Sequence, residues 1–254
     1  MIGAMTTGAR IEIETKDGVA DAHVFTPKDG ASGPGVIFYM DGLGVRDALH
    51  DMAEKMAAHG YVVVLPNMFY RNGPYAPFDP KTVFAGGTER ERLMNVFKSI
   101  DVDRAMSDTA SFLAYLDAHP KVKGKGYGAT GYCMGGSFAL SAAGTYPDKV
   151  LAAASFHGAR LATDAPNSPH LLASKMNKSA RIYIGVADKD PTHPPEATKK
   201  LEEAFSAAGI AHQIEDYPGV THGWVPADTP VHDKAAEEKH WQRLFALFDE
   251  TLKG

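Results

Sequence analysis

The residues best suited to chemistry form the run Gly131-Tyr132-Cys133-Met134-Gly135-Gly136, which contains the single cysteine of the chain. A run of glycine and small residues, 126–130, precedes it, and another small-residue run, 137–144, follows. These flanks predict a short buried strand and a helix that packs closely on a sheet. A nucleophile between two glycines at such a strand-to-helix turn is the pattern of a nucleophile elbow, with cysteine in place of the commoner serine. The elbow predicts a strained turn that puts the sulfur at a helix N-terminus, where the helix dipole favours the thiolate.

A base and an acid follow the elbow in the chain, each just beyond a predicted strand. Asp188 directly follows the strand predicted at 181–187, and His222 lies after the strand predicted at 212–217. The order nucleophile, acid, base is that of α/β-hydrolases. His222 would take the thiol proton and later return one to the leaving group, while Asp188 would orient the imidazole. Asp190 is a competing acid, and Asp188 is preferred because it directly follows the strand.

The negative charge that develops on a substrate carbonyl needs two fixed hydrogen-bond donors. We predict that the backbone N–H of Met134 supplies one and that of Gly42, in the turn after the strand at 36–40, supplies the other. His157, which ends a strand next to the elbow strand, is interpreted as a pocket wall. Trp224, close to His222, is assigned either to the substrate pocket or to the core.

The remainder of the chain predicts a mainly parallel, doubly wound sheet in one domain, 1–254. Apolar strand runs alternate with helical spacing from residue 36 to the end, which is the pattern of an α/β fold. Two alternating stretches around Asp17-Gly18 predict an antiparallel hairpin at the N-terminal edge of the sheet. The segment 67–88 is long and rich in proline, glycine and aromatic residues, so we expect it to cover a pocket.

Composition excludes several classes of function. The 254 residues are 44% hydrophobic and 22% charged, with a net charge of -5, which disfavours a nucleic-acid or anionic-membrane partner. Residues 1–10 lack an apolar signal region, and a single cysteine fits a reducing compartment, so we expect a cytoplasmic protein. The sequence contains no Cys-x-x-Cys, His-Glu-x-x-His or P-loop motif, so no metal or nucleotide site is indicated. The match to G-x-G-x-x-G at 126–131 lies inside the elbow strand and does not indicate a dinucleotide site. We therefore expect no cofactor, and a monomer or homodimer.

The cysteine elbow, together with Asp188 and His222-Gly223-Trp224, resembles dienelactone hydrolase (carboxymethylenebutenolidase) over about residues 36–252. The resemblance implies an α/β-hydrolase whose Cys-His-Asp triad opens small lactones through an acyl-enzyme intermediate. It implies an acid at position 41 that pairs with the resting thiol, and here that residue is Asp41, one methylene shorter than the family's glutamate.

The resemblance also implies two arginines that bind the substrate carboxylate. Arg90 stands at the position of the first, whereas no arginine follows His222 where the second is expected. Two alternatives to a lactone hydrolase remain open. One is a broader carboxylesterase or thioesterase that lacks carboxylate recognition. The other is a non-catalytic ligand sensor on a hydrolase scaffold.

Overall fold

A computed structural model describes residues 8–188 and 190–253 of the protein. Residues 1–7, on which the expectation about a signal peptide largely rests, lie outside this part. Within the described part, eight strands form one sheet. Their bounds are β1 Ala9–Thr15, β2 Gly18–Phe25, β3 Gly35–Tyr39, β4 Val62–Pro66, β5 Tyr127–Tyr132, β6 Val150–Phe156, β7 Arg181–Ala187 and β8 Ala211–Tyr217.

Six α-helices connect or follow the strands in the same part of the chain. They are α1 Asp47–Ala58, α2 Gly87–Phe97, α3 Val102–Ala118, α4 Met134–Thr145, α5 Pro195–Ala208 and α6 Lys234–Phe248. Short 3₁₀ turns occur at Lys28–Gly30, Tyr70–Asn72, Val83–Ala85 and Pro169–Lys175, and a π turn at Asp249–Lys253 extends α6. None of these described helices is both long and apolar enough to span a bilayer.

The strand order is β1-β2-β4-β3-β5-β6-β7-β8. Strands β3 to β8 pair in parallel, while β1 pairs with β2, and β2 with β4, in antiparallel fashion. The predicted fold class is thereby confirmed, including the antiparallel hairpin at the N-terminal edge. All residues of β3 and of β4 are buried, as expected for central strands covered on both faces by helices.

The topology brings the carboxyl ends of the parallel strands to one edge of the sheet. In open α/β sheets this edge is where ligands bind. Turns that follow β3, β5, β7 and β8 carry Asp41, Cys133, Asp190 and His222, in that order. The sheet therefore gathers at one rim residues that are far apart in the sequence.

The expectation that segment 67–88 covers a pocket does not hold for the cavity at this rim, although Gly87 of the segment lines a separate depression beside α2. No residue of the segment is among those that line the cavity. Phe69 instead packs on Phe97, with ring centroids 5.8 Å apart, and Phe97 lines the cavity. The segment thus supports the wall from behind.

Candidate active site

The cysteine sits in a strained turn between β5 and α4. Cys133 has a φ of 53°, in the left-handed region that residues other than glycine rarely adopt. The glycines at positions 131 and 135 make the turn possible. A Cβ atom added at position 131 would lie 1.9 Å from the carbonyl oxygen of Gly135. A Cβ atom added at position 135 would lie 2.5 Å from the carbonyl oxygens of Tyr39 and Met40. The helix therefore approaches β5 and β3 at backbone contact, and the predicted elbow geometry is present.

The imidazole of His222 meets a carboxylate at the same rim. Its Nδ1 lies 2.6 Å from Oδ2 of Asp190, whose side chain is fully buried. The other carboxylate oxygen, Oδ1, accepts hydrogen bonds from N–H and Oγ1 of Thr192 at 2.8 and 2.7 Å. Asp190 is thus fixed on one side by its own turn and is aimed at His222 on the other.

Electrostatics favour the protonated form of His222. Burial alone would lower the pKa of this imidazole, but the hydrogen bond to Asp190 and the proximity of Cys133 raise the pKa to about 10. Burial alone would raise the pKa of Asp190, and its bonds to His222 and Thr192 hold the value below the ordinary one. Nδ1 is directed at Asp190, which leaves Nε2 as the nitrogen that can serve a partner in the cavity that His222 shares with Cys133.

The acid on His222 is therefore Asp190, and the predicted contact of Asp188 with His222 is corrected. Asp188 is exposed, and its Oδ2 lies 3.4 Å from the backbone N–H of Gly219. It directly follows β7, but a carboxylate there remains on the solvent side of the turn. Two residues further on, the chain has turned inward, and Asp190 reaches the imidazole.

Among the described residues Asp41 makes no hydrogen bond to the thiol, and both of its carboxylate oxygens bind other groups. Arg46 donates to Oδ1 at 2.8 Å and to Oδ2 at 2.9 Å, and the N–H of Leu43 donates to Oδ1 at 2.9 Å. The same guanidinium donates to both oxygens of Asp228, at 2.6 and 3.1 Å. We call Arg46, Asp41 and Asp228 the arginine clamp. It joins the turn after β3 to the loop that carries His222.

The turn after β3 leaves one amide free for an oxyanion. The N–H groups of Leu43 and Gly44 both donate to Asp41, to its side chain and its carbonyl respectively. Within the described part of the chain, the N–H groups of Gly42 and Met134 make no hydrogen bond. Met134 lines the cavity and opens α4, where the helix dipole adds to the attraction of its N–H for negative charge, whereas Gly42 is not among the lining residues. That the two N–H groups form an oxyanion hole stays a prediction.

A cavity of about 500 Å³ opens beside the cysteine. Its wall is largely apolar on the side of α2, α3 and α4, and more polar on the side of the chain that follows β6. The lining residues are Met94, Phe97, Ile100, Asp101, Val102, Cys133, Met134, Ser137, Phe138, Ala159, Arg160, Thr163, Ala165, Asn167, Ser168, Pro169, Thr192 and His222. Cys133 and His222 therefore share one cavity, which can hold a small ester or lactone.

Arg90 lies outside this cavity, contrary to the role that the resemblance implied. It is exposed on α2 and lines a separate depression with Glu91 and Lys98. Arg160, which sequence reasoning did not single out, lines the cavity instead. The segment 157–180 lacks a regular hydrophobic period, and nothing in its sequence pattern indicated which residue would face the cysteine.

His157 and Trp224 form a buried layer beneath the site. Trp224 is fully buried and packs against His157, with ring centroids 4.9 Å apart, so it is a core residue and does not line the cavity. His157 has a φ of 40°, and its Nδ1 accepts the backbone N–H of Cys133 at 3.1 Å. Burial holds the pKa of His157 well below its ordinary value, which keeps the ring neutral and Nδ1 able to accept. His157 therefore supports the elbow from below.

A sequence model of the "Dienelactone hydrolase family" matches residues 20–252, which is most of the chain. This chain belongs to the dienelactone hydrolase family. A Synechocystis protein named "Putative carboxymethylenebutenolidase" is 28% identical over 225 residues, which cover 87% of each chain. A Pseudomonas "Carboxymethylenebutenolidase" is 29% identical over 122 residues, covering 48% of this chain and 49% of the relative.

Solved structures share the fold of this dienelactone hydrolase family member. A Klebsiella pneumoniae structure titled as that of a "Putative Dienelactone Hydrolase" superposes with a TM-score of 0.80 at 20% identity, over 95% of this chain and 97% of the other. A "Dienelactone Hydrolase-like" promiscuous phosphotriesterase from metagenomic libraries gives a TM-score of 0.75 at 21% identity, over 97% and 99%. At such identities the likeness shows the fold, while the chemistry has to be argued from this chain's own residues.

Proposed function

We propose that this hydrolase opens small lactones, or cleaves small esters, through a thioester formed on Cys133. The observation that carries the proposal is the 2.6 Å contact of His222 with Asp190, together with the single cavity that His222 and Cys133 both line. A free thiol is only a few per cent ionised at neutral pH, so a cysteine nucleophile needs a neighbouring base. His222 is that neighbour: its neutral imidazole takes the thiol proton, and Asp190 stabilises the imidazolium that results.

In the first step, the Cys133 thiolate attacks the carbonyl carbon of the substrate. A carbon–sulfur bond forms and the carbonyl electron pair moves to oxygen, where the N–H groups of Gly42 and Met134 stabilise the negative charge. The tetrahedral intermediate then collapses, the carbon–oxygen bond to the leaving group breaks, and the leaving alkoxide takes the proton of His222. With a lactone, the released alcohol stays attached to the acyl group.

In the second step, water attacks the thioester. His222 takes a proton from the water, the new carbon–oxygen bond forms, and the carbon–sulfur bond breaks to restore the thiolate. The acid product leaves as a carboxylate and a proton. His222 is again an imidazolium, and Asp190 stabilises this charge in the resting enzyme and after deacylation.

The test is turnover of 4-nitrophenyl pentanoate by wild type and Cys133→Ala. Removal of the nucleophile should lower kcat by roughly 10³-fold or more, as removal of a triad member does elsewhere. Wild type mixed rapidly with the ester should also gain the mass of one pentanoyl group on Cys133. Equal turnover by the two proteins would remove Cys133 from the mechanism. A wild type that neither hydrolyses nor becomes acylated by any small ester or lactone would favour the ligand-sensor alternative.

A further inference from the structure

The arginine clamp connects two segments that carry candidate reacting groups. The guanidinium of Arg46 makes five hydrogen bonds, to Asp41, to Asp228 and to the carbonyl of Gly44. A guanidinium has five N–H donors, so none is left for a substrate. The side chain is only 7% exposed and is not among those that line the cavity. Arg46 can therefore affect the reaction only through the segments that it holds.

On the side of β3, the clamp fixes the turn that contains Gly42, the predicted oxyanion donor. Two bonds of the guanidinium go to the carboxylate of Asp41, and a third, at 3.2 Å, goes to the carbonyl of Gly44. Gly42 lies between these two residues in the chain. A Cβ atom added at Gly42 would lie 2.6 Å from Cζ of Phe97, which lines the cavity. The turn is thus directly behind the cavity wall, and Arg46 sets its position.

On the side of β8, the clamp holds the loop 218–233, which carries His222 and contains no helix or strand. The guanidinium donates to both carboxylate oxygens of Asp228, at 2.6 and 3.1 Å. The hydroxyl of the next residue, Thr229, donates to the carbonyl of Gly223 at 2.9 Å. Gly223 directly follows His222, so this series of contacts ends one residue from the imidazole. Loops are more mobile than the elements they connect, and these contacts restrain this one.

We infer that Arg46 is a positioning residue, which fixes the turn of Gly42 and the loop of His222 relative to each other. In the sheet, the elbow strand β5 lies between β3 and β8, so the two segments flank the elbow. The inference rests on the proposed function, in which both groups act on a carbonyl bound at Cys133. The planar fork of a guanidinium can bind two carboxylates at once in fixed directions. A shift of about 1 Å in a reacting group can cost about 100-fold in rate, so kcat depends on the clamp.

A second arginine with two acidic partners provides a matched control. Arg71 donates to both oxygens of Asp108, which is fully buried, and makes two bonds to Asp17, whose side chain is 41% exposed. In the clamp, Asp228 is likewise the more exposed acid, at 33%, and also accepts two bonds. Arg71 and its partners join the turn between β1 and β2 to α3, and none of them lines the cavity. Asp228→Ala and Asp17→Ala therefore break comparable contacts, but only the first lies in the loop of His222.

The test measures kcat and KM for 4-nitrophenyl pentanoate, with kcat expressed per folded molecule from circular dichroism, so that a loss of stability does not count as a loss of rate. Asp228→Ala should lower kcat by about tenfold or more and leave KM within about threefold, because the cavity wall is intact. Asp17→Ala should leave kcat within about twofold of wild type. Arg46→Lys should lower kcat as Asp228→Ala does, since an ammonium group balances the charge of Asp41 but lacks the fork. Equal kcat values for the two alanine variants, or full activity of Arg46→Lys, overturn the inference.

A second comparison asks whether Asp228 acts through His222. In a His222→Gln background, Asp228→Ala should lower the residual kcat by less than about twofold, because the loop no longer carries the imidazole. The same tenfold loss in both backgrounds overturns the inference.

The ester also separates this inference from the proposed function. Cys133→Ala should abolish turnover. If it does, and Asp228→Ala is as active as Asp17→Ala, the positioning role alone is overturned. If Cys133→Ala hydrolyses the ester as fast as wild type, the thioester mechanism is overturned, and the positioning role with it.

Discussion

Two buried carboxylates at the rim of the sheet have opposite surroundings. Asp41 follows β3 and faces Arg46, a permanent cation, whereas Asp190 follows β7 and faces His222, whose charge depends on a proton. The guanidinium and both of its acids hold one another in place, and the guanidinium keeps its proton. His222, beside Asp190, gives up and regains a proton in the proposed mechanism. Whether a buried carboxylate takes part in catalysis or only stabilises the fold therefore depends on whether its partner can gain and lose a proton.

The largest expected effect concerns catalysis. Asp190→Asn removes the charge that stabilises the imidazolium and lets the imidazole adopt the wrong tautomer, so kcat should fall by roughly 10³–10⁴-fold, as in other triads that lose the acid. The matched control is Asp188→Asn, two residues away and exposed, for which kcat should change by less than about twofold. Steady-state kinetics with an activated ester measure both. If the Asp188 variant loses the activity and the Asp190 variant keeps it, the acids have been assigned the wrong way round.

The second prediction concerns stability at the arginine clamp. Arg46→Gln leaves the buried Asp41 without its cation, which should cost about 3 kcal/mol of unfolding free energy, the range found for broken buried pairs. Asp228→Asn should cost less, because the pair of Arg46 and Asp41 stays balanced and Asp228 is one-third exposed. Urea unfolding followed by circular dichroism gives both values. An Arg46→Gln variant as stable as wild type would show that the clamp is not a structural element.

The third and smallest effect is a shift in a titration midpoint. The raised pKa of His222 means that its imidazolium persists upward to about pH 10 and deprotonates above it. Asp190→Asn removes a cause of the rise while burial, which lowers the value, remains, so the midpoint should move to lower pH. Asp41→Asn should leave it in place. NMR of ¹⁵N-histidine-labelled protein, with His222 assigned from a His222→Gln spectrum, records the midpoint. Equal shifts in the two variants would mean that both carboxylates act on His222.

Much of the fold and the elbow could be predicted from the sequence because both depend on local patterns. Buried strands are recognisable in the sequence as apolar runs. The glycines at positions 131 and 135 are needed because the backbone there is in contact with neighbouring backbone and leaves no room for a Cβ atom. The choice between Asp188 and Asp190 depends on how far a turn carries the chain inward, which hydrophobic periodicity does not encode. One signal favoured Asp190: it precedes Pro191 and lies two residues before Thr192, the pattern of an Asx turn with an extended first residue.

The arginines show a second limit of sequence reasoning. Arg90 stands at a matching distance along the chain, but α2 presents it to solvent, away from the cysteine. Arg160 lies in an irregular connection whose path is set by hydrogen bonds to Cys133 and Thr192. Those partners are distant in the sequence, so a guanidinium at the cavity rim could be found only once the chain was folded.

The positive φ of Arg160 has a consequence for how this protein can change over time. Glycine adopts that backbone geometry without steric cost, so replacing Arg160 by glycine removes local strain at the same time as it removes a positive charge from the cavity wall. Selection for heat tolerance alone would accept that exchange, whereas any use of that charge in the cavity would resist it. The identity of residue 160 in a lineage is therefore a record of which demand prevailed.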